Sequence, residues 1–519
     1  MNTRESKSKR NPGRKPPPLV PVSRDGALPL SFAQQRLWFI DQLAPGSYTY
    51  NVPFFVRLMG PLEVAVLERS LSELLRRHEA LRTTFSLVNG QPVQRIASEW
   101  GFTLPLEDLE GMAEGQREDV VRRLAEEEAR RPFDLEKGPL FRARLLRVAA
   151  DEHVLLLSKH HVVSDAWSLG LLERELTALY RALSHGEPMP RALEVQYADY
   201  ATWQREWVKG EVLEEQLRWW KQQLAGAPPV LELPTDRPRP PVQSARGAAL
   251  RVMLSPALSG AVKERSRKEG VTQFMTLLAA FHALLARYSG QTDIVVGSPI
   301  SGRNRREVEG LIGFFVNTLA LRIDGSEAAS FRELLGRVRE SCLGAYAHQD
   351  LPFEQLVDAL QPARDMSRSP LFQVMFVLQA MDPCAALKLP GVSASELVVE
   401  SGVSRFDLML SVRELSEGWL CIWEYSSDLF DAETVERMAA HYVRLLEGAV
   451  AEPEQRLSLL PLMGDEERRR VVVEFNETAE LYAPANGVHE LFEAWADRTP
   501  EAVAVSFGEE KLTYGELNR

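Results

Sequence analysis

The sequence of 519 residues has few cysteines and no long apolar run. Its three cysteines, Cys342, Cys384 and Cys421, are odd in number, widely spaced and without a CxxC pair, which argues against a disulfide framework and a zinc site. No uncharged apolar stretch approaches the roughly 20 residues that span a bilayer, and the N-terminus lacks the apolar core of a signal peptide. We therefore expect a cytoplasmic protein with no metal ion and no contact with a membrane.

The motifs of several common enzyme classes are also missing. GxGxxG and GxxxxGK[ST], the glycine-rich loops that bind nucleotide phosphates, do not occur, and neither does the GxSxG of Ser/His/Asp hydrolases. Lys and Arg number 61 against 73 Asp and Glu, so the net charge of −12 repels a phosphate backbone. The sequence thus carries no signature of a nucleotide site, and nucleic acid is not an expected partner.

The length and composition predict more than one folded unit. Hydrophobic residues make up 45% and charged residues 26%, which are ordinary globular proportions, and 519 residues exceed what one core usually organises. Residues 1–24 are basic and proline-containing, so we expect a disordered tail or linker, or alternatively a docking segment for an acidic partner. The Pro- and Arg-rich residues 226–247 predict an irregular connection between two lobes.

Hydrophobic periodicity predicts alternating strands and helices, hence a mixed α/β fold. Residues 141–148 and 153–160 read as a hairpin whose second strand is buried, and leucines spaced three and four apart from Leu169 to Leu183 predict a helix directly after it. A helix around 275–288 should end at Gly290. Further helices are expected at 330–347 and 432–450, and further strands at 293–300, 372–379 and 419–425.

HHVVSDAWS at 160–168 lies where the predicted strand meets the predicted helix. Consecutive strand residues point to opposite faces, so if His161 faces an open site, His160 faces the packed side. Taken alone, the pattern allows catalysis, metal binding or two core histidines, and metal binding is disfavoured because opposite-facing histidines cannot share one ion. Asp165, taken alone, reads as the N-cap of the helix.

Several motifs together resemble the condensation domains of nonribosomal peptide synthetases, over about residues 28–452. HHVVSDAWS is similar to the HHxxxDG active-site pattern, and the other matching motifs occur in the family's order: SFAQQRLWFIDQL at 31–43, RRHEALRTTF at 76–85, VQYADYATW at 195–203, IGFFVNTLALR at 312–322, HQDLPFE at 348–354 and RDMSRSPL at 364–371. LTYGELN at 512–518 resembles the first core motif of an adenylation domain.

The resemblance implies an α/β fold of two chloramphenicol-acetyltransferase-like lobes, which form a V-shaped pseudo-dimer with a central tunnel. It implies amide formation between a donor acyl or peptidyl thioester from an upstream carrier protein and an aminoacyl thioester from a downstream carrier. Both substrates hang from phosphopantetheine arms of the carriers, and no cofactor is expected on this chain. The expected segments are the tail at 1–24, lobes at 25–207 and 208–452, a linker at 453–485, and the truncated start of an adjoining adenylation domain at 486–519.

The resemblance also implies roles for individual residues. His161 is the expected base or amine-positioning group, His160 is the other histidine of the motif, and Asp165 is a structural ion-pair partner. Arg82 and Arg303 are the candidate partners of that carboxylate. Ala166 stands where the family has glycine, and Ala166, Trp167 and Ser168 are expected beside the substrate. Alanine keeps the backbone N–H but loses easy access to positive φ and adds a methyl group.

Several alternatives stay open within and outside this family. The opening SFAQQRLW resembles members that take L-configured donors, and starter domains that take a fatty acyl donor look similar. Heterocyclisation domains replace the histidine pair with aspartates, and epimerisation domains follow a carrier, so both fit less well. A catalytically silent recruitment platform on the same fold and a free-standing coenzyme A-dependent acyltransferase are hypotheses of other classes. The sequence does not identify the substrates.

Overall fold

The computed structural model describes residues 15–98, 101–362, 365–379, 384–479 and 487–519. These residues form two compact units, one within Met1–Leu462 and one within Met463–Arg519. The first unit contains two lobes, each built on a sheet covered by helices.

The N-terminal lobe alternates strands with helices, as predicted. Its strands are β1 (Leu28–Pro29), β2 (Asn51–Met59), β3 (Thr83–Val88), β4 (Gln91–Ile96), β5 (Leu106–Asp108), β6 (Phe141–Ala149) and β7 (Glu152–His160). Its helices are α1 (Phe32–Leu43), α2 (Val64–Arg77), α3 (Glu114–Arg130), α4 (Ala166–His185) and α5 (Tyr197–Trp207).

The C-terminal lobe has the same mixed character. Its strands are β8 (Gly247–Leu254), β9 (Asp293–Ile300), β10 (Asn317–Asp324), β11 (Val374–Gln379), β12 (Ser393–Glu396), β13 (Leu408–Leu415) and β14 (Gly418–Ser426). Its helices are α6 (Glu211–Gln223), α7 (Pro256–Lys268), α8 (Gln273–Ser289), α9 (Phe331–Ala347), α10 (Phe353–Leu360) and α11 (Ala432–Ala451).

The central strand of the N-terminal lobe is β7. In the five-stranded sheet β12-β2-β7-β6-β5 it pairs antiparallel with β2 and β6, and its residues from His153 to His160 are buried. Leu155 and Leu157 pack toward α2 and α4, whereas Val154 and Leu156 pack toward α3. Helices therefore cover both faces of β7, which explains its almost continuous apolar sequence.

One strand crosses between the lobes. The C-terminal lobe builds a six-stranded sheet in the order β10-β9-β11-β13-β14-β8, but β12 leaves it and pairs antiparallel with β2 of the N-terminal lobe. The predicted boundary between the lobes at 207/208 therefore does not assign every residue to the correct lobe, because Ser393–Glu396 belong to the sheet of the N-terminal lobe. A short, exposed strand carries no signal for the sheet it joins.

The individual elements predicted from periodicity are confirmed. The hairpin appears as β6 and β7, the leucine-spaced helix as α4, and the irregular connection as residues 226–246 without helix or strand. Helix α8 ends at Gly290, whose φ of 72° is the left-handed conformation that glycine adopts without strain.

The N-terminal tail is more ordered than its composition predicts. Residues 1–14 lie outside the described residues, but the side chain of Leu19 is buried and the Pro17 carbonyl accepts hydrogen bonds from Trp203 and Arg305. Arg24 forms ion pairs with Asp199 and Glu79. The prediction of a disordered tail up to residue 24 is thus wrong for residues 17–24, because the buried side chain of Leu19 and the ion pairs of Arg24 attach them to the lobe.

The second unit contains helices and strands both within the expected linker at 453–485 and within the segment 486–519. They are α12 (Asp465–Val472), α13 (Val488–Arg498), β15 (Val503–Phe507), β16 (Glu510–Thr513) and α14 (Tyr514–Leu517), with β15 and β16 forming a hairpin. Apolar side chains of this unit are exposed, among them Leu491, Trp495 and Phe507. Such a unit is too small for a substantial core of its own.

No single helix of the described residues is long and apolar enough to cross a membrane. In the same residues, α7 and α8 taken together have the required length and apolar composition, but the two helices are bent by 107° relative to each other.

Candidate active site

The HHxxxD segment runs through three elements in succession. Strand β7 ends at His160, His161–Val163 form one 3₁₀ turn, and Asp165 caps α4, which begins at Ala166. The strand is held on both sides, since His160 lies opposite Asn51 of β2 and its N–H bonds to the Leu140 carbonyl. A rigid sheet therefore positions the first histidine, and a tight turn positions the second.

The imidazole of His161 is oriented by its own turn. Nδ1 lies 2.7 Å from the Ser164 carbonyl oxygen, so it carries the hydrogen and donates it, and the lone pair of the neutral ring is on Nε2. The ring packs edge-on against Phe314, with centroids 4.7 Å apart. Burial lowers the pKa of His161, and the positive charge of Arg405 lowers it further. At neutral pH the side chain is a neutral proton acceptor.

His160 contacts a different set of neighbours. Its Nδ1 accepts the Val162 N–H at 3.1 Å, and its ring lies 6.1 Å from Phe133 and 6.3 Å from Tyr50. Burial lowers the pKa of His160 to about 3. The two histidines thus occupy separate environments, as strand alternation predicts, and the buried His160 has the contacts of a structural group.

Asp165 joins the two lobes. Its carboxylate accepts the N–H of Ser168 at 2.8 Å, which is the predicted N-cap bond, and the N–H of Phe315 at 3.0 Å. Arg303 donates to both of its oxygens, at 3.1 and 3.3 Å, and both side chains are almost completely buried. The second nitrogen of Arg303 donates to the carbonyls of Val308 and Leu311.

Of the two candidate arginines, only Arg303 reaches Asp165. The Arg82 prediction is wrong, because that guanidinium lies 3.9 Å from Glu79 and donates to the Ala97 carbonyl. Both candidates are arginines, and their neighbouring sequence does not show which of them pairs with Asp165. The choice between them depends on the close approach of the 303–315 segment to the start of α4.

The three residues expected beside the substrate differ in exposure. Ala166 is exposed and is the first residue of α4, so its backbone is helical and does not require the positive φ that glycine would permit. Trp167 is 39% exposed, and its indole N–H donates to the Glu309 carbonyl. Ser168 is fully buried and its hydroxyl bonds to Gly313 and Arg303, so its predicted contact with substrate is corrected to a structural role.

Two residues at this site were not singled out from the sequence. Phe314 contacts His161 and also lines a cleft whose other walls include Trp203, Trp207 and Asp350. Arg405 comes from the loop before β13 and stacks over the Tyr50 ring. Phe314 lies within the matching motif IGFFVNTLALR, but no local pattern marks Arg405 as a neighbour of His161.

No group of three or more His, Cys, Asp or Glu side chains that could hold a metal ion occurs in the described ranges. The chemistry available at the site is that of a neutral imidazole beside a buried ion pair.

The family to which the chain belongs follows from comparison with known proteins. The family model described as "Condensation domain" matches residues 24–472, which include the whole HHxxxD site. The chain belongs to the condensation-domain family. Its mixed α/β fold is the chloramphenicol-acetyltransferase-like fold of solved condensation domains, as predicted.

Three similar proteins illustrate the likeness in sequence and in fold. The chain is 52% identical over 504 residues to a subunit of the linear gramicidin synthase of Brevibacillus parabrevis, and the alignment covers 96% of this chain but only 6% of that much longer relative. It superposes on the X-domain in the complex of X-domain and OxyB from teicoplanin biosynthesis with a TM-score of 0.78 and 29% identity, covering 87% of this chain and 99% of that one. For the four-domain nonribosomal peptide synthetase holo-AB3403 the TM-score is 0.80 with 22% identity, and the superposition covers 95% of this chain and 38% of that one.

The buried histidines of this condensation domain should make it sensitive to acid. Burial lowers the pKa of His160 to about 3 and that of His282 to about 4, whereas unfolded histidines titrate near about 6.5. Between these values the unfolded chain binds more protons, so stability is lost as the pH falls below about 6.5. The melting temperature should decrease from pH 7 to pH 5.

A variant isolates the contribution of one histidine to this acid sensitivity. His160→Gln removes one such group, so the variant should lose less melting temperature over the same pH interval than the unsubstituted protein. Equal losses in the two proteins would contradict the assigned neutral state of His160.

Proposed function

We propose that residues 24–472 catalyse amide formation between a donor acyl or peptidyl thioester and an acceptor aminoacyl thioester, both held on phosphopantetheine arms of carrier proteins. The observation that carries the proposal is the state of His161, whose Nδ1–H is bonded to the Ser164 carbonyl and whose Nε2 lone pair is therefore available. Membership of the condensation-domain family and similarity to part of a gramicidin synthase support it.

The reaction assigns a defined task to each group. The acceptor amine nitrogen attacks the donor carbonyl carbon, a C–N bond forms, and the C–S bond of the thioester breaks. The proton lost by the amine passes to Nε2 of His161, and the donor arm leaves as a thiol after taking a proton. Asp165 and Arg303 do not touch the reacting atoms in this mechanism. Their buried ion pair holds the start of α4, which follows the turn that carries His161, against the 303–315 segment.

Positioning contributes more to this reaction than strong base catalysis. An α-amino group titrates near about 7.7 to 8.0, so roughly one part in six is already neutral at pH 7. Holding amine and thioester in line corresponds to effective molarities of about 10⁵ M or more. The main task of His161 is therefore to orient the amine, and accepting its proton is the smaller contribution.

The two lobes provide the proposed place of reaction. We assign it to a tunnel between them, with the exposed Ala166 and Trp167 at the start of α4 beside the substrate. The donor carrier would present its arm from one mouth and the acceptor carrier from the other. This arrangement rests on the family fold, since the carriers themselves are separate partners.

The finer assignments are part of the same proposal. The opening motif SFAQQRLW supports a donor of L configuration, with a starter domain that takes a fatty acyl donor as the alternative. LTYGELN at 512–518, together with α13 and the β15–β16 hairpin, supports an adjoining adenylation domain that begins near residue 486.

A recruitment platform without catalysis is the second candidate function. Similarity to the X-domain, which has been solved in a complex with OxyB, supports it, because that structure shows the same fold holding a partner protein. The neutral, oriented His161 supports catalysis instead.

Mixing the chain with two loaded carriers tests both candidates. One set of donor carriers would hold an L-dipeptidyl arm and another an octanoyl arm, and acceptor carriers would hold single L-amino acids. We expect mass spectrometry to show an amide on the acceptor arm with one donor class, which also decides the subclass. His161→Gln serves as the matched control for uncatalysed transfer.

The negative outcome is equally specific. If no donor and acceptor combination gives product above the His161→Gln control, while the folded chain still binds a carrier or a partner enzyme, the amide-forming proposal fails and the platform is supported.

A further inference from the structure

A loop of the C-terminal lobe delivers a positive charge to the histidine site. Arg405 precedes β13, and its carbonyl accepts a hydrogen bond from Gln243 at 3.2 Å. Two residues later, Asp407 pairs with Arg239 at 2.9 Å and its N–H bonds to the Gln373 carbonyl. These anchors hold the Arg405 backbone against the six-stranded sheet.

The Arg405 side chain reaches the N-terminal lobe. Its guanidinium carbon lies 5.4 Å from the centre of the Tyr50 ring, a cation–π distance. The Tyr50 carbonyl accepts the N–H of His161 at 2.9 Å. One residue, Tyr50, thus contacts both the arginine of one lobe and the histidine of the other.

Among the described residues, no close ion pair cancels the positive charge of Arg405. None of the ion pairs formed in the described part of the chain includes this guanidinium. Its charge acts on the carboxyl of Glu424 of β14, whose pKa is raised by burial and lowered in turn by Arg405. A half-buried arginine without a contacting carboxylate exerts its field over a longer range than a paired one.

The charged and titratable groups around His161 act in opposite directions. Asp165 favours the protonated imidazole, whereas Arg405 disfavours it and has the larger effect of the two. The neighbouring His160 stays neutral because burial lowers its pKa. Arg303 is bound to Asp165 and offsets part of its charge.

We propose that Arg405 is a positioning residue of the condensation reaction: packed on Tyr50, it places a fixed positive charge near the His161 site, and this charge adds to burial in keeping the imidazole uncharged and able to accept a proton. The inference rests on the proposed amide-forming function. The proton acceptor comes from one lobe and a charge that favours its neutral form comes from the other, so the packing of the two lobes contributes to the protonation state of His161.

Two substitutions separate charge from structure. Arg405→Gln removes the positive charge, and Arg405→Lys retains it. Arg413→Gln is the matched control, since Arg413 lies on the adjoining β13 but is already paired with Glu396. Melting temperatures of the variants report whether each is folded.

A titration of the histidine rings in ¹⁵N-histidine-labelled protein measures the protonation state directly. The signal of His161 among the nine histidines is assigned by its absence in His161→Gln. We expect the His161 ring to begin to protonate at a higher pH in Arg405→Gln than in the unsubstituted chain. Arg405→Lys and Arg413→Gln should leave its titration unchanged.

The rate of amide formation gives the second measurement. Dividing each variant's rate by the unsubstituted rate at the same pH cancels the titration of the acceptor amine. We expect this ratio for Arg405→Gln to fall as the pH decreases from 8 toward 5, and the ratio for Arg405→Lys to stay constant.

Two results would overturn the inference. Superimposable His161 titrations in Arg405→Gln and the unsubstituted chain would show that Arg405 does not act on this imidazole. A shifted titration with a constant rate ratio would show that the protonation state of His161 does not matter for the reaction. If the unsubstituted chain forms no amide at all, the proposed function fails, and the titration still decides whether Arg405 acts on His161.

Discussion

Replacing His161 with alanine is expected to reduce amide formation by about 10²-fold or more, with the fold intact. Removing a positioned proton acceptor typically costs this much, and here the acceptor amine would also lose the group that orients it. The His161 ring packs on Phe314 alone among aromatic neighbours in the described residues, and its Nδ1 bond is to its own turn, so few tertiary contacts are lost. Condensation rates with loaded carriers and melting temperatures measure both effects.

His160→Ala is the matched control, because it removes the same side chain one residue earlier. His160 is buried next to Phe133 and Tyr50 and accepts the Val162 N–H, so alanine leaves a cavity and an unsatisfied donor. We expect a lower melting temperature and a smaller loss of rate than in His161→Ala. Equal losses of rate with unchanged melting in both variants would contradict the separation of their roles.

Replacing Asp165 with alanine should destabilise the domain by about 3 to 5 kcal/mol, because it leaves the buried Arg303 guanidinium without its counter-charge. The same carboxylate accepts the N–H groups of Ser168 and Phe315, so the cap of α4 and a contact between the lobes are lost together. Chemical unfolding of the purified variant, or its failure to express in soluble form, measures this effect.

A double variant tests whether the cost comes from the unpaired charge. Arg303→Met alone should also destabilise, and Asp165→Ala with Arg303→Met should cost less than the sum of the two single changes, because no buried charge then remains unpaired. A soluble Asp165→Ala protein of normal stability but without activity would point instead to a direct chemical role for the carboxylate.

The local elements were predictable where one short stretch of sequence contains all the residues that determine the element. The alternation in β6, the apolar run of β7 and the leucine spacing of α4 each report the burial of a nearby segment, and Gly290 ends α8 by its own backbone freedom. The N-cap at Asp165 belongs to the same class, because cap and helix are adjacent in the chain.

Pairings between distant segments were not predictable in this way. Arg82 and Arg303 were equal candidates for Asp165, and Ser168 looked accessible beside Trp167 although it is buried against Gly313. Strand β12 joins the sheet of the other lobe, and residues 17–24 pack on α5 rather than remaining a tail. In each case the deciding contact comes from a segment far away in the sequence, and no local pattern links that segment to the residue it contacts.

The sequence by itself determined that the chain has a mixed α/β fold, that the HHxxxD segment joins a buried strand to a capped helix, and that its motifs resemble condensation domains. Those features depend on short-range periodicity and on residues that are neighbours in the chain. Only the tertiary structure decided which arginine neutralises Asp165 and that Arg405 lies near the His161 site. These properties depend on the distances between charges and dipoles from separate segments, and such distances exist only once the two lobes have packed together.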